Sequence, residues 1–146
     1  MNVHTIPQPI HDVGKRIARE FGVLRSWQDK YAYIIELGKK LPAIDPAEKK
    51  EANLIHGCQS NVWLTAEYSE DRLWLRADAD SSIVKGLVAL MIRFYNGQPL
   101  ADIAANDPQF IQEIGMDRHF SATRANGLRA MTQRIKSLAQ NGTQTG

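Results

Sequence analysis

The residue best placed to do chemistry is Cys58, the one cysteine in a chain of 146 residues. With no second thiol it cannot close an internal disulfide. One thiolate is also too few to hold a zinc ion or an iron–sulfur cluster. Its setting, Gly57-Cys58-Gln59-Ser60-Asn61-Val62-Trp63-Leu64, is not the apolar run that surrounds an inert buried cysteine. A glycine precedes it and three polar residues follow before the chain turns apolar. That composition predicts a loop running into a strand, where a thiol can meet a reaction partner as a nucleophile. Simple packing of Cys58 is the alternative.

Other reactive side chains are judged by what they could do for that thiol. His56 lies two residues before it, so in extended chain both side chains would share a face. As imidazolium it would lower the thiol pKa, and as neutral imidazole it would act as a base. A histidine that merely tips a strand is the simpler expectation. His4, His11 and His119 show no metal-ligand spacing. Asp78 and Asp80 flank Ala79 ahead of a helix start, where capping and turn formation account for them. Lys39-Lys40 and Lys49-Lys50 read as solvated pairs, and Trp63 reads as a packing residue.

The elements that must position the thiol follow from periodicity. Ile10, Val13, Ile17 and Phe21 recur at helical spacing, and Gly22 ends the pattern. A second helix from about Ser26 carries Trp27, Tyr31, Ile34, Ile35 and Leu41, and Pro42 stops it. Asp45-Pro46-Ala47-Glu48 predicts a capping box opening a short helix, with Glu48 reaching back. Val62, Leu64, Ala66 and Tyr68 then alternate with Trp63, Thr65 and Glu67. Leu73, Leu75 and Ala77 alternate with Arg72, Trp74 and Arg76. One antiparallel register sets Val62 against Ala77, Leu64 against Leu75 and Ala66 against Leu73. On its other face Trp63 meets Arg76, Thr65 meets Trp74 and Glu67 meets Arg72. Residues 53–56 are a candidate third strand.

Beyond the sheet the period returns to that of a helix. Ser81 or Asp80 is expected to cap a helix that is apolar nearly all round, from Ile83 to Tyr95, and such a helix belongs at the centre of a core. Residues 96–99 end it. Short helices follow from Leu100 and after Asp107-Pro108, the second closed by Gly115. A last helix starts near Ser121 with Leu128, Met131, Ile135 and Leu138. The expectation is a single domain over residues 1–146, ordered from about 8 to 140, with a polar frayed tail at 141–146.

Composition limits the function classes. Hydrophobic residues make up 43% and charged residues 23%, which is a globular balance and not a disordered one. A net charge of +2 gives no electrostatic case for nucleic acid or an anionic membrane. The stretch from Ile83 to Tyr95, broken by Lys85, Gly86 and Arg93, is too short to span a bilayer. No apolar leader is visible in residues 1–15, and one unpaired cysteine fits a reducing cytoplasm.

The cysteine segment, with its Gly57-Cys58-Gln59-Ser60 and Val62-Trp63-Leu64, resembles the cysteine motif of the SufE family of sulfur acceptors, which includes the CsdE branch. Three further segments resemble that family in order: Trp27 to Tyr31 with Ile34 to Pro42, then Asp78-x-Asp80-Ser81-Ser82-Ile83-Val84-Lys85-Gly86-Leu87, then Ser121-x-x-Arg124-x-x-Gly127-Leu128. The likeness covers about Trp27 to Leu138. The Gln59-Ser60 pair leans toward SufE proper, and His56 departs from the pattern.

The resemblance implies an α+β fold, a small antiparallel sheet packed against several helices, similar to IscU-type scaffolds. It implies a sulfur-transfer accessory protein, not an independent enzyme, with no cofactor of its own. The partner would be a SufS- or CsdA-type cysteine desulfurase that uses pyridoxal phosphate. The downstream acceptor would be an iron–sulfur scaffold such as SufBCD. Cys58 would take the sulfur, while Gly57, Gln59, Ser60, Asp80 and Arg124 would support the loop or contact the partner. Asn61 could also donate to the sulfur. Monomer and homodimer both stay open. A redox-sensing thiol is the rival class. A small cysteine hydrolase would need a downstream base and orienting group that the sequence does not offer.

Overall fold

The computed structural model describes residues 5–58 and 60–145, with side chains as far as Gly142. His4, Gln59 and the last residue of the expected tail lie outside that range. The first helix, α1 (Ile10–Gly22), buries Ile10, Ile17 and Phe21, the stripe its periodicity predicts. The second, α2 (Trp27–Lys39), begins at Ser26, whose hydroxyl accepts from the N–H of Asp29 at 3.1 Å. It ends before Leu41, which still packs against the core.

Asp45 caps as expected, accepting from the N–H of Ala47 at 3.0 Å. Glu48 does not reach back to complete a capping box. Its carboxylate and carbonyl instead take the side-chain amide of Asn53, and the segment forms two single 3-10 turns, Pro46–Glu48 and Glu51–Asn53.

The hairpin is β1 (Val62–Ser69) and β2 (Arg72–Ala79), but its register differs from the expected one by two residues. Val62 pairs with Ala79, Leu64 with Ala77 and Ala66 with Leu75; on the other face Trp63 pairs with Asp78, Thr65 with Arg76 and Glu67 with Trp74. The turn explains the shift. Glu70 and Asp71 both hold positive φ, 54° and 62°, as a two-residue turn matched to strand twist requires. Each side chain keeps its predicted face, because a shift of two preserves the alternation. Leu73, Leu75 and Ala77 are buried, whereas Ala66 and Tyr68, on the same face of β1 as buried Val62 and Leu64, are exposed. Trp63 therefore does not meet Arg76 as the expected register had it, and the ammonium of Lys49 sits 5.3 Å from its ring.

The third strand is β3 (Gln98–Pro99), giving the order β1-β2-β3. The candidate third strand at 53–56 contributes only an isolated bridge, Leu54 to Trp63. The central helix, α3 (Ser82–Tyr95), packs between α2 and the sheet and buries Leu87, Val88, Leu90, Met91, Phe94 and Tyr95. It crosses α2 at a pair of glycines. A Cβ on Gly86 would lie 2.0 Å from the Ile34 carbonyl oxygen, and one on Gly38 2.7 Å from the Gly86 nitrogen. Only bare backbone allows that approach.

The remaining helices are α4 (Leu100–Ala105), α5 (Phe110–Ile114), α6 (Met116–His119) and α7 (Ala122–Thr145). Gly115, at φ 87°, closes α5 as predicted. The short α6 was not legible from periodicity. Residues 141–145 belong to α7. The hydroxyl of Tyr68 donates to the Leu138 carbonyl at 2.6 Å, and Gly142 lies against the Tyr68 ring. No helix among the described residues is long and apolar enough to cross a membrane.

Candidate functional site

Cys58 sits on a loop whose two ends are fastened to the hairpin. At its start the N–H of Ile55 donates to the Val62 carbonyl at 2.8 Å. At its end Asn61 and Asp80 bond reciprocally. The Asn61 N–H donates to Asp80 Oδ1 at 3.1 Å, and the Asp80 N–H donates to the Asn61 carbonyl at 3.2 Å. Asp80 therefore holds the loop, and Ser81 is the helix N-cap residue, though without a side-chain cap bond. Gly57 has φ +94°, a conformation that L side chains rarely adopt, so glycine is needed here for the turn itself.

That turn brings the thiol against α7. Cys58 is half-buried, and its Sγ lies 3.8 Å from the Gly127 carbonyl oxygen, its hydrogen-bond acceptor. Burial pushes the thiol pKa up from its ordinary range, and no neighbouring charge offsets it. His56 turns elsewhere. It is exposed, with Nε2 3.3 Å from the Glu51 carboxylate. The shared face expected in extended chain is lost at Gly57.

Beside the sulfur lies a cavity of about 30 Å³. Its walls are apolar residues of α3 and α7, with Val62 from the sheet, and Arg124 also lines it. Among the described residues, Arg124 Nε is buried with no hydrogen-bond partner. A guanidinium donor left unpaired beside an apolar hollow is costly unless something charged comes to meet it. Of the residues expected to serve the site, the fold brings Gly57, Cys58 and Arg124 together. Ser60 is half-buried in the same loop, and Asp80 holds its end.

Sequence reasoning missed the cavity walls Val84, Leu87, Val88, Gly127 and Met131 as site residues. Val84, Leu87 and Gly127 stood within the quoted motifs, which was the available signal. It also misjudged two charges beneath the loop. Asp78 is buried, with the ammonium groups of Lys49 and Lys85 at 3.1 and 3.3 Å and the N–H of Ala79 at 2.8 Å. Burial alone would raise its pKa, but these donors outweigh it and leave the carboxyl below its usual range. Lys49, expected to be merely solvated, thus ties the segment before the loop to the sheet.

Comparison with known proteins agrees with this architecture. The SufE family model, described as an Fe-S metabolism associated domain, matches residues 15–139. An uncharacterized SufE-like protein of Rhizobium etli is 38% identical over 130 residues, 86% of this chain and 88% of its own. One of Rhizobium meliloti has the same identity over 130 residues, covering 93% of its own length. A solved structure of a hypothetical protein from Thermus thermophilus superposes with a TM-score of 0.75 at 19% identity, covering 96% of this chain and 99% of that one. That likeness speaks for the fold, while the family model and the Rhizobium sequences cover most of the chain at substantial identity: the chain belongs to the SufE family.

Proposed function

We propose that this protein accepts sulfane sulfur from a pyridoxal-phosphate cysteine desulfurase onto Cys58, stimulates that enzyme, and passes the sulfur to an iron–sulfur scaffold in the cytoplasm. The observation that carries this reading is the pairing of a sheltered thiol with the unpartnered Nε of Arg124 at one small cavity. The Cys58 thiolate attacks the outer sulfur of the partner's persulfide. A new S–S bond forms at Cys58, the partner's S–S bond breaks, and the partner's cysteine leaves as thiolate. A persulfide is more acidic than a thiol and carries its charge on the outer sulfur, where the Arg124 donor can meet it.

Burial of the thiol favours this reading over a redox sensor. Sensors use exposed thiols of lowered pKa, whereas Cys58 is half-buried with its pKa raised. The resting thiol is protonated at neutral pH and resists stray oxidants until a partner docks. A hydrolase is disfavoured because His56 engages Glu51.

The test measures desulfurase turnover with and without this protein, alongside the intact mass of the chain. Faster turnover together with one added sulfur on Cys58 is expected. Unchanged turnover and unmodified Cys58 would overturn the proposal.

A further inference from the structure

On the far side of α7 lies a second cleft, of about 720 Å³, between that helix and the α5–α6 wall. Its place follows from the turn of the helix. With about 3.6 residues per turn, a helix that sets Arg124, Gly127 and Met131 toward Cys58 sets Arg129, Thr132 and Lys136 on its opposite face, where they line this cleft. Leu128 stands between the two faces and lines both hollows. An occupant of the cleft therefore rests on the reverse of the sulfur site without covering the thiol.

Ile111, Phe120 and Leu128 give the cleft its apolar floor, and Ile111 and Leu128 are only half-buried. Toward one end the walls are joined by Asp107 and Lys136, whose carboxylate and ammonium meet at 2.6 Å. Toward the other, Asp117 of α6 and Arg129 of α7 are both exposed, and among the described residues neither meets an opposite charge. The Arg129 guanidinium is held only by the side-chain carbonyl of Asn126, one turn back. Between the two ends the side-chain amides of Gln112 and Gln133 have no partner among the described residues. Apolar clefts with a few unspent polar groups are where small ligands bind. We infer that this cleft binds a free α-amino acid with a bulky apolar side chain. Its carboxylate meets Arg129, its ammonium meets Asp117, and its side chain lies on Ile111, Phe120 and Leu128. A cation and an anion on opposite walls complement a zwitterion, whereas a purely anionic or cationic ligand leaves one of them unmet.

The test titrates the isotope-labelled chain with leucine and follows its amide NMR signals. Leucine should give saturable shifts at Gln112, Arg129 and Gln133 at millimolar concentration. Leucine methyl ester, which lacks the carboxylate, and N-acetyl-leucine, which lacks the ammonium, should each bind weaker on the order of ten-fold, as for one lost charge-assisted hydrogen bond. Glycine, with nothing to lay on the floor, should also bind more weakly. Each pole has its own signature. In Arg129→Gln the ester should bind as well as leucine, and in Asp117→Asn the acetylated form should. Both positions are exposed, and the same spectra report that the fold is kept. Shifts that never saturate, or that fall outside the cleft, overturn the inference. So does an ester or a glycine that matches leucine on wild type, or a variant that binds leucine as wild type does. The measurement needs neither a desulfurase nor sulfur on Cys58, so failure of the acceptor reading leaves this site standing.

Discussion

Two half-buried polar clusters sit on α3 and α7, and they are finished to different degrees. Where α1, α2 and α3 meet, Glu20 takes both terminal nitrogens of Arg93 at 2.7 and 2.5 Å and the hydroxyl of Tyr33 at 2.6 Å. Each donor has its acceptor, and the Arg93 bond first of all, then Tyr33, holds the Glu20 carboxyl down at about 2 despite burial. At the other cluster, Cys58 has only a long contact to a carbonyl, and Arg124 Nε has nothing among the described residues. The satisfied cluster is what a fold builds for stability. The unsatisfied one carries a standing cost that stability alone does not explain.

The contrast can be broken most directly at the thiol. Cys58→Ser should abolish sulfur acceptance while the urea midpoint stays near wild type. Full stimulation of a desulfurase by the serine variant would refute the mechanism, and loss of folding would make Cys58 a packing residue. At Arg124 the loss should fall on function. Arg124→Gln should slow acceptance on the order of ten-fold or more, as expected for one hydrogen bond to a charged group, with little change in stability. A variant that unfolds while still accepting sulfur would reverse that assignment.

Glu20→Gln should do the opposite, costing about 1–3 kcal/mol of stability at pH 7 and leaving sulfur acceptance intact. Its pH dependence has a definite sign. The folded pKa lies below the ordinary one, so the contribution is full above 4.5 and fades as pH falls toward about 2. The gap between wild type and variant in urea titrations should narrow across that window. A gap that persists unchanged to its acid end would rule out the ion pair as its source.

Cys58 predicts the mirror image, an effect at alkaline pH. Its thiol is raised by burial, so iodoacetamide should alkylate the folded chain along a profile shifted to higher pH than the chain in urea. A folded midpoint at or below the unfolded one contradicts a sheltered thiol. The smallest effect belongs to His56. Because it meets Glu51 and not the sulfur, His56→Gln should leave the acid limb of the transfer profile between about pH 5.5 and 8.5 unchanged. A clear loss of low-pH activity would restore it to the site.

What the sequence made legible follows the range of the forces involved. Helix ends were readable because Ser26, Gly115 and Asp45 act on neighbours a few residues away. The faces of the hairpin were readable for the same reason, since alternation decides them. Its register was not. A shift of two keeps every face, and Glu70-Asp71 lacks the glycine that would have announced the turn. The two-residue β3 contains a proline and offers no alternation at all. At the site, Cys58 and its loop stood out by composition, and Arg124 by family likeness. The cavity did not, because α3 and α7 make it jointly from residues far apart in the chain. Asp78 was misread as a helix-start residue because its lysines come from elements that only the fold brings to it.

The bare-backbone contact of Gly38 with Gly86 has a bearing on how tolerance to substitution should be read in this protein. A scan of all single replacements, scored by growth that depends on sulfur delivery, would rank those two glycines beside Cys58. Any side chain at Gly86 must displace the Ile34 carbonyl, so even alanine there forces the two helix axes apart. An intolerance map taken at face value would therefore show two hot regions of equal rank, one reactive and one purely geometric. Scoring abundance and sulfur delivery separately would tell them apart.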